Sequence, residues 1–180
     1  QANVEKEARQ DGLTGLANRR TFDQVISKEL GIASQTGSEC SLILMDLDRF
    51  KSVNDTYGHL AGDQVLRRTA QLLKEQTQKI RNSDRILCAR YGGEEMAILL
   101  PGVGLAGALR IAESIRLAIQ GQPIPIEQTV LNVTASSGIA CFPQHGTTVE
   151  ELIASADSGL YAAKENGRNR VDIPQTAPAL

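Results

Sequence analysis

The sequence predicts an α/β sandwich in which a mostly antiparallel central sheet carries helices on its faces. Helical and strand-like segments alternate along the chain, with no internal repeats and no linker-like stretch between them. The strand-like segments are short apolar runs, which is typical of strands buried in a core. Two of them flank a Gly-Gly pair, the mark of a tight hairpin.

The first half of the chain is predicted to hold two helices and one buried strand. After the turn DGLTGLAN, apolar residues recur at helical spacing from Phe22 to Leu30. The run CSLILMDL, residues 40–47, predicts a buried strand. The polar segment 49–58 is interpreted as a connection, and the second helix is expected from about residue 62 to 79.

The second half adds a hairpin, two helices and two more strands. The predicted elements are strands 85–91 and 96–100, a helix over 105–120, a strand over 130–141, a helix ending near residue 166 and an edge strand over 170–173. Thr147 or Thr148, each followed three residues later by a glutamate, supplies a capping box for the last helix. Gly167 is the expected stop of that helix.

Composition and charge exclude several classes of protein. A length of 180 residues suits one domain, and a formal net charge of −2 gives no general reason to expect binding to nucleic acid or to an acidic membrane. Cys40, Cys88 and Cys141 are too few and too scattered for a disulfide framework or a zinc site. They are expected to be small buried hydrophobic residues in a reducing, cytoplasmic compartment.

The domain organisation is predicted as one domain over residues 11–173. Residues 1–10 are expected to be the end of a linker helix that enters from an upstream domain, and residues 174–180 a disordered tail. The chain begins at Gln1, so we expect it to be a fragment of a longer protein. No apolar run approaches the ~20 residues that span a bilayer. If the full-length protein is anchored in a membrane, we expect the anchor in the missing N-terminal part.

The first candidate site is the pair Asp46 and Asp48 at the end of the buried strand. Alternate residues of a strand point to the same face, so both carboxylates can reach one side of the strand end. Mg²⁺ is commonly held by one or two carboxylates together with substrate phosphates. The alternative is that these are solvated carboxylates that merely end the strand.

The second candidate site is the hairpin Gly92-Gly93-Glu94-Glu95. The two glycines allow a sharp turn and leave room for a ligand, and the two acids directly after them face that ligand. An ordinary exposed hairpin has the same composition, so the pattern alone leaves both interpretations open.

The third and fourth candidates bind a nucleotide. Asn54 and Asp63 flank a glycine-bearing segment, where a carboxylate can accept N1–H and N2–H₂ of guanine and an amide can donate to O6. The alternative for Asp63 is a helix N-cap.

The fourth candidate is the pair Lys164 and Arg168. These two residues share a helix face if helical geometry persists through Gly167, and both can then reach a polyphosphate. Their alternative is the favourable placement of cations near a helix C-terminus.

Four motifs, in this order and at consistent spacing, resemble the GGDEF family of diguanylate cyclases, which join two GTP molecules into cyclic di-GMP. The motifs are DGLTGLANRR (11–20), DLDRFKSVNDTYGHLAGD (46–63), RYGGEE (90–95) and AAKENGRNRV (162–171). The resemblance covers the chain from about residue 8 to 173. It implies the nucleotidyl-cyclase palm fold, in agreement with the order of elements above.

The resemblance implies a set of catalytic and metal-binding residues. Asp46, the backbone carbonyl of Leu47 and Glu94 match the family's site for Mg²⁺, for which Mn²⁺ can substitute. Glu95 takes the constant Glu of the signature, which is implicated in activating the attacking hydroxyl. Lys51 falls where the family keeps a lysine near the phosphates.

The resemblance also implies the substrate contacts and the partners. Asn54 and Asp63 match the guanine-binding pair, Lys164 and Arg168 match the phosphate-binding pair, and His59 belongs to the same loop signature as the first pair. The substrate is then GTP, the product cyclic di-GMP and the catalyst a homodimer, controlled by an upstream sensory domain. The alternatives are a catalytically inactive module that acts as a GTP or cyclic di-GMP receptor, and a cyclase of different product.

Two positions depart from the family pattern. Met96 replaces the usual Phe of the signature and is expected to face the core, where this change of shape is tolerable. An Arg-x-x-Asp pair for product inhibition usually stands five residues before the Gly-Gly, where this chain has Ser83 and Ile86. The pair Arg81 and Asp84 lies two residues further away. It is a displaced candidate for that site, or simply two solvated loop charges, and we expect weak or absent product inhibition.

Overall fold

The computed structural model, which describes residues 8–175, consists of a central five-stranded sheet between two layers of helices. Its elements in chain order are α1 (Arg19–Thr36), β1 (Cys40–Leu47), α2 (Phe50–Tyr57), α3 (His59–Gln78), a 3₁₀ turn (Ser83–Arg85), β2 (Leu87–Gly92), β3 (Glu95–Pro101), α4 (Leu105–Gly121), β4 (Ile124–Pro125), β5 (Val130–Leu131), β6 (Ala135–Phe142), α5 (Val149–Glu165) and β7 (Val171–Asp172). The predicted α/β sandwich is therefore confirmed.

The central sheet has the strand order β2-β3-β1-β6-β7. Every pairing in it is antiparallel except that of β6 with the edge strand β7, which is parallel. Strand β1 lies in the middle and pairs along its length with β3 on one side and β6 on the other. This register places Asp46, near the end of β1, directly opposite Glu95 at the start of β3.

The alternation of side chains along β1 builds two cores. Ile43 and Met45 are buried in a cluster with apolar residues of α3 and α4, whereas Leu42 and Leu44 are buried in a cluster with those of α1 and α5. Successive residues of a strand point to opposite faces, so a run that is apolar at every position is buried on both sides. Met96 is fully buried in the first cluster, as predicted.

Strand β6 and helix α5 pack with their backbones in direct contact. A β-carbon at Gly138 would lie 2.1 Å from the carbonyl oxygen of Ala156 and from the backbone nitrogen of Leu160, so only glycine fits there. The helix begins at the predicted capping box, where the Thr148 side chain accepts from the Glu151 N–H and the Glu151 carboxylate accepts from the Thr147 N–H. This packing brings the last turn of α5 to the end of β1.

The segment between β1 and α3 differs from the sequence prediction. Residues 50–57 form helix α2 rather than a connection, and α3 begins at His59 rather than near residue 62. Phe50, Val53 and Tyr57 recur at helical spacing and pack on the first core, which stabilises this otherwise polar helix of about two turns. Gly58, at φ 91°, is the single residue at which one helix ends and the next begins.

The predicted strand over 130–141 is also divided. Residues 130–131 pair with β4 in a separate two-stranded sheet, and β6 begins only at Ala135. Between them the Thr134 hydroxyl donates to the carboxylate of Asp48, so this turn is held by a side-chain contact at the end of β1.

Three smaller predictions can be compared with the structure. Cys40 and Cys141 are buried free thiols and Cys88 is half-buried; burial raises the pKa of Cys40 to about 12 and that of Cys88 to about 11. The helices found between residues 8 and 175 include none with the length and apolar character needed to cross a membrane. The predicted linker helix and disordered tail lie largely outside the described residues, in 1–7 and 176–180.

Candidate nucleotide and metal site

Asp46 is a buried carboxylate near the end of β1, with 5 % of its surface exposed. Its Oδ2 forms an ion pair with the Lys164 ammonium from the last turn of α5. Its Oδ1 is buried and has no hydrogen-bond partner among the residues that the structure describes. Burial raises the pKa of Asp46, although the bond from Lys164 opposes this.

Glu95 faces Asp46 across the β1–β3 pair and is half-buried. Its pKa is raised first by burial and then by the negative charge of Asp46. The negative charge of Glu94 also raises the pKa of both residues, and Asp46, Glu94 and Glu95 are called the carboxylate cluster below. Lys164 is the cation of this cluster.

This cluster fits a divalent cation. The buried Oδ1 of Asp46 receives no hydrogen bond from the described residues, so its lone pairs are free to bind a cation. The nearby charge of Glu94 adds to the negative charge that such a cation would neutralise. Within residues 8–175 no group of three or more His, Cys, Asp or Glu side chains is arranged to hold a metal ion, so a cation here would have one or two carboxylate ligands from these residues. Mg²⁺ is commonly held in this way when substrate phosphates supply further ligands.

The Asp48 carboxylate is not free to share a cation with Asp46, contrary to the expectation from the D-x-D pattern, although its charge also raises the pKa of Asp46. Strand β1 ends at Leu47, and the Asp48 carboxylate accepts hydrogen bonds from Thr134 Oγ1 and Ser136 Oγ, both at 2.7 Å, and from the Asn169 N–H at 3.0 Å. Its lone pairs are therefore engaged by the protein itself.

A cavity of about 360 Å³ adjoins the carboxylate cluster. Its lining includes five residues that the sequence singled out: Lys51, Asn54, His59, Asp63 and Glu94. Glu94 thus borders the cavity and also acts electrostatically on Asp46. The cavity and the carboxylate cluster therefore adjoin each other at Glu94.

Asn54 and Asp63 reach this cavity from two helices, not from a loop. Asn54 lies on α2 and Asp63 in the second turn of α3, whose N-cap position is Gly58. The N-cap interpretation of Asp63 is therefore wrong. Because α2 and α3 turn back on each other at Gly58, residues nine positions apart in sequence meet at one pocket.

Gly62 makes room for the Asn54 side chain. A β-carbon at Gly62 would lie 1.9 Å from Asn54 Oδ1 and 3.1 Å from Phe50 Cζ. Alanine is favoured over glycine inside a helix by about 1 kcal/mol, so glycine at this position is explained by the Asn54 side chain rather than by the helix.

We expect Gly62→Ala to displace the Asn54 side chain and weaken binding of a guanine nucleotide by about tenfold, the usual consequence of one lost hydrogen bond in a site. Isothermal titration with a GTP analogue measures this effect, and thermal unfolding should show little loss of stability because alanine favours the helix. Gly31→Ala, in α1 with open space around its β-carbon position, is the matched control. Unchanged affinity in Gly62→Ala would contradict a role for Asn54 in binding.

Lys164 and Arg168 do not share a helix face. Helix α5 ends at Glu165, and Gly167 and Arg168 have φ values of 118° and 65°, so the helical geometry does not persist. Lys164 contacts Asp46, whereas the Arg168 side chain is exposed and makes no hydrogen bond or ion pair within the described chain. The structure brings one of the two predicted phosphate-binding residues into the cluster.

Arg90 was not singled out from the sequence as a candidate site residue, but the structure brings it to the cavity. It lines the cavity, donates from Nε to the Gly93 carbonyl at 3.0 Å and forms an ion pair with Asp11 at 3.2 Å. Asp11 in turn accepts from the Thr14 N–H and hydroxyl. Both residues stand in motifs that had been singled out, and their opposite charges are the only signal by which sequence could have joined them.

The displaced pair Arg81 and Asp84 lies apart from this site. Both residues are exposed, next to the 3₁₀ turn that precedes β2 or within it. A larger cavity, of about 620 Å³, lies between the N-terminal turn and the end of α3. Ser83 and Ile86 line it, and none of the predicted catalytic, metal or nucleotide residues does.

Known proteins are similar to this chain over most of its length. The chain matches the family described as "Diguanylate cyclase, GGDEF domain" over residues 8–170. It is 42 % identical over 163 residues to the response regulator PleD of Caulobacter vibrioides, covering 89 % of this chain and 35 % of PleD. It is 40 % identical over 173 residues to the diguanylate cyclase VdcA of Vibrio cholerae, covering 94 % of this chain and 48 % of VdcA.

A solved structure extends the comparison to three dimensions. The coiled coil and GGDEF domain of DgcB from Caulobacter crescentus, in complex with c-di-GMP, superposes with a TM-score of 0.85 at 33 % identity, covering 95 % of this chain and 88 % of that one. The chain spans less than half the length of the two curated relatives. On its motifs, its fold and these similarities, the chain belongs to the GGDEF family of diguanylate cyclases.

Proposed function

We propose that this chain condenses two GTP molecules into cyclic di-GMP with release of pyrophosphate. The observation that carries the proposal is the position of Glu94, which lines the Asn54–Asp63 cavity and also acts on the buried Asp46. A base bound in the cavity would place its phosphates toward the carboxylate cluster. Two of the curated relatives are named as a response regulator and a diguanylate cyclase, which supports a signalling enzyme.

Guanine is the base that the cavity suits. The Asp63 carboxylate can accept the N1–H and N2–H₂ donors of guanine, and the Asn54 amide can donate to O6. Adenine lacks this donor pair and would leave the Asp63 carboxylate without its partner, so ATP should be rejected strongly.

The phosphates would lie between Asp46, Glu94 and the cations. Mg²⁺ held by Asp46, Glu94 and the Leu47 carbonyl would polarise the phosphate oxygens and lower the pKa of the attacking hydroxyl. Lys164 is already in the cluster through Asp46, and Lys51 lines the cavity. These two cations, together with Arg168, would offset the charge that develops on the leaving pyrophosphate.

Glu95 would accept the proton of the attacking 3′-hydroxyl. Burial and the charge of Asp46 raise its pKa, which makes its carboxylate a stronger base than an exposed glutamate. The 3′-oxygen then bonds to the α-phosphorus of the other GTP as the bond to pyrophosphate breaks.

One guanine cavity in the described chain implies a dimer as the catalyst. Each protomer would bring one GTP, and the two nucleotides would react across the interface between them. Most of the length of PleD and VdcA lies outside the region similar to this chain. That extra length is where an upstream sensory domain would orient the two protomers.

Product analysis tests the function. The protein should be incubated with Mg²⁺ and GTP, ATP or both, and the products identified by mass. Cyclic di-GMP from GTP, with no product from ATP alone and no mixed product, is the expected result. Nucleotide binding without any product would instead establish the receptor alternative, and a mixed dinucleotide would establish a cyclase of different product.

Asp63→Ala should relax the preference for GTP over ATP. Loss of a hydrogen-bonded partner with a charge costs about 1.5–3 kcal/mol, so kcat/KM for GTP should fall by about tenfold to a hundredfold while that for ATP changes little. Asp55→Ala removes an exposed carboxylate of the same motif that does not line the cavity, and is the control. An unchanged ratio of the two kcat/KM values in Asp63→Ala would refute the base-reading role.

A further inference from the structure

The backbone that carries Arg168 has an unusual conformation. Gly167, Arg168 and Asn169 have φ values of 118°, 65° and 47°, three positive values in succession. Residues with a β-carbon are disfavoured in this region, and two of them in succession persist only where the surroundings hold them. The backbone conformation of residues 167–169 therefore requires contacts with other parts of the fold.

Asn169 makes such contacts on several sides. Its backbone N–H donates to Asp48 Oδ2 at 3.0 Å, and its side-chain Oδ1 accepts from Arg116 Nη1 at 2.9 Å. Its amide nitrogen donates to Gln120 Oε1 at 3.1 Å. Arg116 is itself held by Glu113, one turn earlier on α4. Helix α4 and the end of β1 together fix this residue.

Asp48 connects the same residue to the sheet. Its carboxylate also accepts from Thr134 and Ser136, and its backbone N–H donates to the Thr134 carbonyl at 2.9 Å. Asp48 stands two residues after Asp46. A single carboxylate thus ties the strand end that bears the metal-binding candidate to the loop that bears the phosphate-binding candidate.

We infer that Asp48 and Asn169 are positioning residues, which hold the backbone so that the Arg168 guanidinium meets the triphosphate. The Arg168 side chain is exposed and makes no hydrogen bond or ion pair within residues 8–175, so its reach is set by its backbone. The inference rests on the proposed function, since it takes Arg168 as a phosphate ligand. It assigns to the second Asp of the D-x-D pattern a role separate from metal binding.

The test is a double-mutant cycle on nucleotide affinity. Asn169→Gly keeps the positive φ at little cost and keeps the backbone N–H, but removes the side-chain contacts with Arg116 and Gln120. We expect Asn169→Gly and Arg168→Ala each to weaken binding of a GTP analogue with a non-cleavable α,β bridge by about tenfold, as for a lost charge-assisted contact, and to leave GMP affinity unchanged. The double variant should be no weaker than Arg168→Ala.

Three further variants complete the design. Asp48→Ala should also weaken binding of the analogue without affecting GMP, and Asp48→Asn, which retains an acceptor for the Asn169 N–H, should restore most of the affinity. Ser41→Ala removes a 2.7 Å hydrogen bond at the opposite end of β1 and should change neither affinity. This control separates positioning from a general loss of stability.

The outcomes are distinguishable. Losses that add in the Asn169→Gly/Arg168→Ala double variant, or an equal loss for GMP and the analogue, would overturn the positioning role while leaving the proposed function intact. A wild-type chain that binds neither nucleotide would overturn the proposed function, and the inference with it.

Discussion

Glu95→Gln should reduce cyclic di-GMP formation by about a hundredfold or more, the usual cost of removing a general base, and should at the same time raise the melting temperature of the metal-free protein. The amide cannot accept the proton of the attacking hydroxyl. It also carries no charge, so it relieves the burial of a carboxylate and its repulsion by Asp46. Activity and stability are expected to change in opposite directions.

The sign of the stability change follows from the raised pKa of Glu95. In the folded protein the ionised form is disfavoured, so wild-type stability is lost as pH rises from the ordinary pKa of a glutamate through the raised one. Glu95→Gln should lack this part of the pH dependence when unfolding is followed in a chelator. Glu165→Gln, exposed at the end of α5, is the control. A variant that kept its activity would remove Glu95 from the mechanism.

Asp46→Asn should also lower product formation by about a hundredfold or more, because it weakens the site for the ion that stabilises transition-state charge. Its distinct signature is in binding. Mg²⁺ with a non-cleavable GTP analogue should raise the melting temperature of the wild type by mass action, and that Mg²⁺-dependent part of the increase should disappear in Asp46→Asn.

Asp23→Asn is the control for Asp46→Asn, because Asp23 is an exposed partner of Arg19 on α1. It should show the same Mg²⁺-dependent increase as the wild type. If Asp46→Asn kept that increase, the Oδ1 of Asp46 would not be part of a metal site, and the assignment of Asp46, Leu47 and Glu94 would be wrong.

The elements that the sequence predicted well are those whose pattern is local. The apolar run 40–47 predicts a strand buried on both faces, and the structure places it at the centre of the sheet. The cap of α5 by Thr148 and Glu151 could be predicted because the two residues are only three positions apart in sequence. Helix α2 was missed because its apolar residues, such as Phe50, are few in eight mostly polar positions, which is also the pattern of a connection.

The parts of the site that could not be predicted depend on residues distant in sequence. Asp48 is bound by Thr134, Ser136 and Asn169, which lie 86, 88 and 121 positions away, so its spacing from Asp46 alone suggested a shared metal site. The ion pair of Asp11 with Arg90 likewise joins two motifs 79 positions apart. Neither spacing nor residue type reveals which partner satisfies a carboxylate.

The position of Arg168 shows a different limit. Four-residue spacing from Lys164 predicts a shared face only while the helix continues, and the helix ends at Glu165. Gly167 was recognised as a stop, but the left-handed conformation of the next two residues is supported by contacts with Arg116 of α4 and with Asp48, the residue that follows β1. Backbone conformation beyond a helix end is a tertiary property.

The most direct measurement is the stoichiometry and order of the reaction. Pyrophosphate and cyclic di-GMP should be quantified together with GTP and Mg²⁺, over protein concentrations that span dimer dissociation, with Glu95→Gln as the background. The account predicts two pyrophosphates for each cyclic di-GMP, and a specific activity that rises with protein concentration to a plateau. Product no greater than that of Glu95→Gln at any concentration would contradict cyclase activity, and a specific activity independent of concentration across that range would contradict catalysis by a dimer.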